Sequence, residues 1–418
     1  MEKHGELRRG WFLILSSCAG VVCSAVVLPY YSIGALVVPV TTDLGWSRAE
    51  FQSAILFSAG LGALTAPVVG WLCDRFGSRA LALPSLVGLS AGFLIAASMN
   101  GDLWMLYLAY GSMALLGAGT IPVTWTRAIT TNFFQRRGLA LGLTLTGTGI
   151  CAMLVPHYVV WLVEQYGWRV AYVGIALLPL LLAGPLVYFG FRPREQLQQQ
   201  DATPIDSVRS ISLGEAVRGY RFWVLLISIF AAYMAFSGIS PNLIPAMTDA
   251  GMSSSAAATV MSVYGGSIIV GRITVGYLID RFWAPGVAAA AMSLPVIGCI
   301  LLLEPSSFVW AAVAAFFIGF AAGAELDLMS FLAARYFGLA HYAKIYSVLY
   351  MSLAICSGTA PMLFARVYDL TANYDIGFYV ALGLFAFGGL LVLLLGRYPD
   401  NSESAEPSGG TLQTADQR

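Results

Sequence analysis

Twelve apolar runs, each long enough to cross a lipid bilayer, follow one another along this 418-residue chain. They lie roughly at 12–40, 48–73, 80–99, 103–131, 138–162, 167–191, 220–248, 255–279, 285–303, 306–335, 341–367 and 376–396. A hydrocarbon core about 30 Å thick takes about 20 helical residues. The runs are continuously apolar and lack the alternation of a membrane barrel strand. The expected fold class is therefore all-α and polytopic, with twelve transmembrane helices. Runs beyond about 25 residues must tilt, bend or emerge from the bilayer. With 58% apolar and 11% charged residues, the chain lies far outside the usage of soluble domains.

The runs fall into two related sets. Gly70-Trp71-Leu72-Cys73-Asp74-Arg75-Phe76 recurs 206 residues later as Gly276-Tyr277-Leu278-Ile279-Asp280-Arg281-Phe282. The same offset carries Gly45 and Ser47 onto Gly251 and Ser253. Two tandem halves of six spans each are the plan of many secondary transporters. The expected organisation is an N-terminal six-helix bundle at 1–191, a cytoplasmic linker at 192–219, a C-terminal bundle at 220–396 and a disordered cytoplasmic tail at 397–418. A short helix is expected near 213–219 of the linker. Glycine and proline punctuate the spans, as Gly60, Gly62, Pro67 and Gly70 do in span two and Gly142, Gly147, Gly149 and Pro156 in span five. Small residues let membrane helices approach closely and proline allows kinks.

Net charge is zero, but its placement is uneven. With twelve spans, all but five of the 22 Lys and Arg fall on the side that carries both termini. The exceptions are Arg48, Arg169 and Arg366 in opposite loops, and Arg127 and Arg272 within spans. By the positive-inside rule both termini are cytoplasmic. No cleavable signal is evident. The six cysteines contain no CxxC pair and read as small packing residues, and the three histidines show no metal-ligand spacing. No Walker-type phosphate loop is present, so direct ATP drive is unsupported. No Asn-x-Ser/Thr sequon occurs either, which favours a bacterial inner membrane.

Gly70-x3-Asp74-Arg75-x-Gly77-x-Arg79 resembles the signature of the major facilitator superfamily between spans two and three. The second copy departs from it, with Trp283 in place of the glycine and no later arginine. The resemblance covers about residues 10 to 396. It implies two six-helix bundles, a central cavity and alternating access, with Asp74, Arg75, Arg79, Asp280 and Arg281 as gate residues at the cytoplasmic face. Within the superfamily the sequence is most similar to the monocarboxylate and oxalate/formate transporter group. Phe134-Gln135-Arg136-Arg137-Gly138-Leu139-Ala140-Leu141-Gly142 resembles that group's entry to span five. Gly271-Arg272-x3-Gly276 ahead of Asp280 resembles its eighth span, where an arginine binds the substrate carboxylate. Tyr31-Ser32 stands where the oxalate/formate antiporter has Tyr-Ser. The antiporter's second cation, in span eleven, is replaced by Leu353, and span one lacks the lysine of the animal carriers. These departures favour a monocarboxylate over a dicarboxylate.

Four ionisable residues are expected well inside the membrane: Arg127, Arg272, Glu325 and Asp327. On the insertion scale a central Arg or Asp costs about 2.5–3.5 kcal/mol, so intramembrane charge reads first as function. Arg272 lies eight residues before Asp280, about 12 Å along a helix. That is too deep for an interface anchor. Its planar fork can hold a carboxylate by two parallel hydrogen bonds; the alternative is an ion pair with Glu325 or Asp327. Arg127 is a second anion contact, half of a cytoplasmic gate, or a snorkelling cation. Glu325 and Asp327 lie two apart, about 200° around a helix, so both cannot face the cavity squarely. Burial raises a carboxyl pKa and a nearby Arg lowers it, so a carboxyl whose partner changes between states can couple protons to transport. His157, after Pro156, is either a titrating group or a satisfied polar residue. Tyr31, Trp125 and Tyr233 are candidate cavity-lining aromatics, because the resemblance implies that spans one, four and seven line the cavity.

The reading is a secondary active transporter of a small organic anion, by preference a proton-coupled monocarboxylate uptake system with Arg272 on the carboxylate. A proton-driven exporter of amphiphilic compounds and a non-transporting sensor on a carrier fold stay open as alternatives. The expected partners are the organic anion, protons and the lipid bilayer, with no nucleic acid, and the protein is expected to act as a monomer. No enzyme constellation, cofactor or metal is expected.

Overall fold

The computed structural model describes residues 5–133, 136–191, 211–303, 307–338 and 341–398. Among them there are helices and no strands. Eleven helical stretches are long and apolar enough to cross a membrane. In the first half span one is α1 (Gly5–Val22) and α2 (Val27–Leu44), span two α3 (Arg48–Phe76), and span three α4 (Ser78–Ala97). Span four is α5 (Leu103–Leu116) and α6 (Pro122–Asn132), span five α7 (Arg137–Leu145) and α8 (Gly147–Tyr166), and span six α9 (Trp168–Leu178) and α10 (Gly184–Gly190). A linker helix α11 (Leu213–Arg218) follows, started by a Ser212–Glu215 capping box. The second half is unbroken: α12 (Tyr220–Asp249), α13 (Ser254–Ile279), α14 (Ala284–Leu303), α15 (Phe308–Phe337), α16 (Tyr342–Thr371) and α17 (Asp375–Val392). Most of the linker, and the tail from 399, lie outside the described residues.

Breaks in spans one and four sit at membrane depth, where free peptide groups need partners inside the protein. The break in span four supplies the partner for the break in span one. Ala25 N–H donates to Thr120 Oγ1 at 2.9 Å, and Thr120 Oγ1 donates to Gly117 O at 2.7 Å. Pro122 then starts α6 at the position where no N–H is needed. In span six a π-helical turn, Pro179–Ala183, separates α9 from α10 at a proline.

The duplication is visible in backbone detail. Gly45 and Gly251 both adopt left-handed conformations, φ 69° and 90°, which only glycine enters without strain. Ser47 and Ser253 then cap the next helix, accepting from Glu50 N at 3.1 Å and Ala256 N at 3.2 Å.

The halves meet chiefly through α3 with α16, α8 with α13 and α2 with α12. Where α8 crosses α13, a methyl group added at Gly149 or Gly265 would strike the other helix's backbone. The described hydrogen bonds between the halves lie between the helix middles and the face opposite the termini: Tyr30 to Ser237, Gln52 to Asn242, His157 to Thr259 and Ser262, and a cluster around Arg48. Toward the face with the termini, Leu64, Val68 and Trp71 of α3, Leu139 of α7, Ile273 and Tyr277 of α13 and Met351 of α16 are exposed. The described hydrogen bonds between the halves thus gather toward the face opposite the termini.

Candidate substrate site and gates

Arg272 is 9% exposed on α13, near the inner edge of the interface between the halves. Its helix packs so closely on α15 that Gly271 and Gly323 each leave no room for a methyl group. Arg272 Nε donates to Gly323 O at 3.4 Å and lies 3.6 Å from Asp327 Oδ2. The second distance is a charge contact too long for a hydrogen bond. Arg272 Nη1 is buried and has no hydrogen-bond partner among the described residues. A guanidinium held in this way keeps part of its fork available to an incoming carboxylate or phosphate.

The two carboxyls of α15 diverge as their spacing predicts. Asp327 keeps 36% of its side chain exposed and neutralises Arg272. Glu325 is 2% exposed, and neither of its oxygens has a hydrogen-bond partner among the described residues. It lies within electrostatic reach of Tyr30 from the first half and of Tyr233 and Tyr264 from the second. Tyr31 and Tyr233 are half-buried, and the Tyr31 ring meets Tyr30 edge-on with centroids 5.2 Å apart. Arg127 is half-buried on α6, which packs against α1, α7 and α3 of its own half. Leu353, the residue in place of a second cation, is buried.

His157 binds across the halves, through Nδ1 to Ser262 Oγ at 2.8 Å and through Nε2 to Thr259 Oγ1 at 3.1 Å. Ser262 Oγ in turn donates to Met153 O. His157 thus sits beside the first half of α13, more than two turns before Arg272. Tyr350, which the sequence also offers as a cavity-lining aromatic, has two neighbours that the sequence does not single out. Tyr342, Tyr346 and Tyr350 of α16 stack in series at 5.3 and 6.2 Å, with Tyr346 within electrostatic reach of Asp327. Their four-residue spacing on an amphipathic helix face was the available signal.

Trp125 is a correction. It is fully buried inside the first half and lines no cavity. Its ring covers Gly20 of α1 and meets Phe191 edge-on, while Nε1 donates to Thr120 O at 2.7 Å. The indole therefore plugs the span-four break and satisfies its freed carbonyl. Trp125→Ala is expected to lower stability by about 3–5 kcal/mol, the range for emptying a buried Trp site. Trp125→Phe should lose less, and both variants should keep the parent's ligand affinity in a binding assay on the folded fraction.

The profile of the Major Facilitator Superfamily matches residues 10–361, with a second match at 225–415. The chain belongs to the major facilitator superfamily. Relatives of this facilitator include monocarboxylate transporter 13 of Bos taurus, 27% identical over 387 residues and covering 88% of each chain. Monocarboxylate transporter 12 of Xenopus laevis is 22% identical over 405 residues, covering 89% of this chain and 85% of its own. An uncharacterized MFS-type transporter of Escherichia coli, YhjX, is 25% identical over 322 residues, covering 75% and 78%. Among solved structures, a bacterial homolog of the human lysosomal transporter Spinster, in an inward-facing and occupied conformation, superposes with a TM-score of 0.65. It shares 16% identity and covers 93% of this chain and 96% of its own, a likeness of fold alone.

Arg75 lies over the rings of Trp71 and Phe76, Arg79 over Tyr188 and Arg281 over Tyr277, each within its own half. Asp280 caps the end of α13. The Asp74 side chain lies outside the described residues. At the other face Arg48 meets Asp249 of the second half at 2.6 Å.

Proposed function

We propose that this facilitator takes up a small monocarboxylate together with a proton, by alternating access about a cavity in which Arg272 holds the carboxylate. The observation that carries the proposal is the buried Arg272 guanidinium, with Nη1 unpartnered among the described residues and its Nε only loosely neutralised by Asp327. Monocarboxylate transporters among its relatives agree with that ligand class. Tyr31, Tyr233 and Arg127 are proposed to border the bound anion, and Glu325 to carry the coupled proton. The excess of basic residues on the side of the termini supports a cytoplasmic placement of both ends, in a bacterial inner membrane. The cavity then faces the cytoplasm, and the signature tracts close it there in the opposite state. The protein is proposed to work as a monomer.

The test is accumulation of radiolabelled monocarboxylates in proteoliposomes with an acidic exterior. The wild type should concentrate at least one such acid several-fold above equilibrium, and an ionophore that collapses the pH gradient should abolish the excess. Accumulation that survives collapse would rule out proton coupling. A complete lack of uptake or exchange across a panel of short organic acids would rule out the carrier itself.

A further inference from the structure

The duplication sets Asp43 and Asp249 at equivalent places, each two residues before a left-handed glycine. The two are used differently. Asp43 Oδ2 serves its own half, accepting from Trp168 Nε1 at 3.0 Å and Arg169 Nη1 at 2.9 Å. Asp249 reaches across, its two oxygens accepting from Arg48 Nη1 at 2.6 Å and Nη2 at 3.0 Å. Arg48 follows the capping Ser47, and the second half has Ser254 at that position. The cation is thus present in one copy only, and that copy spends it on the other half.

More bonds converge on the same residue. Arg48 Nη1 also donates to Tyr374 Oη at 3.0 Å, and the guanidinium lies 3.7 Å over the Tyr368 ring. Asp369, near the end of α16, accepts from the backbone N–H groups of Arg48 at 3.1 Å and Ala49 at 2.9 Å. These are first-turn amides of α3, at the positive end of the helix dipole, so a carboxylate of one half caps a helix of the other. Five hydrogen bonds therefore join the start of span two to the ends of spans seven and eleven and to the turn that follows. The Arg48 side chain is only 12% exposed, so the pair is partly shielded from water and salt.

We propose that Arg48, Asp249 and Asp369 form the latch that holds this face shut, and that the cavity opens here only when all of these bonds break together. The latch rests on the alternating-access reading but is distinct from the substrate site: Arg272 lies toward the opposite end of α13. It opposes opening by a bidentate ion pair and a capped helix end, which a rocking motion cannot release one at a time.

The test uses spin-label distances in lipid nanodiscs, on full-length protein with its native cysteines replaced. One label pair spans the shut face, at Thr42→Cys and Asn373→Cys; the other spans the open face, at Ala80→Cys and Lys344→Cys. Arg48→Ala and the milder Asp369→Asn should each raise a long-distance component across the first pair several-fold and shorten the second. The exchange Arg48→Asp with Asp249→Arg should move the distribution back toward the parent. Arg169→Ala, which breaks the equivalent pair inside one half, should leave both distributions unchanged. Parent-like distances in both Arg48→Ala and Asp369→Asn would overturn the latch. So would an equal shift in Arg169→Ala, because the effect would then be general loosening. No transport is read here, so an absence of monocarboxylate uptake in the wild type would overturn the proposed function without touching this result.

Discussion

Arg272→Ala should weaken monocarboxylate binding about a hundredfold or more and abolish accumulation in proteoliposomes, while the protein remains folded in detergent. Removing one partner of a buried, hydrogen-bonded charge pair costs about 2–5 kcal/mol, and each 1.4 kcal/mol is tenfold in affinity. The substitution also leaves Asp327 without its only described ion-pair partner, so part of the loss appears as stability. Two further variants separate charge from geometry. Arg272→Lys keeps the charge but loses the planar fork, and should bind with intermediate affinity and poorer discrimination among carboxylates. Asp327→Asn removes the internal competitor for the guanidinium, and should tighten anion binding while slowing release. Titration calorimetry against the best acid from the uptake panel measures all three. Unchanged affinity in Arg272→Ala would remove the carboxylate role from this residue.

Much of the fold was legible because the bilayer forces it: continuous apolar runs must become helices, and a repeated Gly-x3-Asp-Arg tract fixes the pairing of the halves. The interruptions were less legible. Span one breaks at Cys23–Val26 because Thr120, about 95 residues away, is there to receive the Ala25 N–H, and no local signal announces such a partner. The site was half legible. Arg272 stood out by its depth, and the 200° between Glu325 and Asp327 foretold that only one could attend to it. Which one depended on helix rotation, which the sequence does not set. Trp125 misled because a buried indole at a span break and one on a cavity wall look alike in sequence. Arg48 was missed for the opposite reason. A cation in a short loop is ordinary, and its importance lies in Asp249 and Asp369, 201 and 321 residues distant, whose positions come only from the packed halves.

Glu325→Gln should uncouple transport from the proton while sparing exchange of one anion for another. Glutamine matches glutamate in size and fits where Glu325 sits, 2% exposed and in reach of Tyr30, Tyr233 and Tyr264. An ionised carboxylate without a hydrogen-bond partner is costly to keep out of water, whereas the neutral acid is tolerated. Tyr30 belongs to the first half and Tyr233 and Tyr264 to the second, so in the proposed rocking cycle the surroundings of Glu325 change between states. On the proposed coupling, a proton taken up by Glu325 in one state is released in the other. The amide mimics the neutral acid in both states and has no proton to release. Accumulation driven by a pH gradient should therefore fall to equilibrium in Glu325→Gln, while counterflow of labelled for unlabelled monocarboxylate continues within about threefold of wild type. Glu325→Asp keeps the titrating group on a shorter stem and should restore part of the pH-driven gradient. Gradient-driven accumulation that persists in Glu325→Gln would move the coupling group elsewhere, with Asp327 beside Arg272 the next carboxyl to replace.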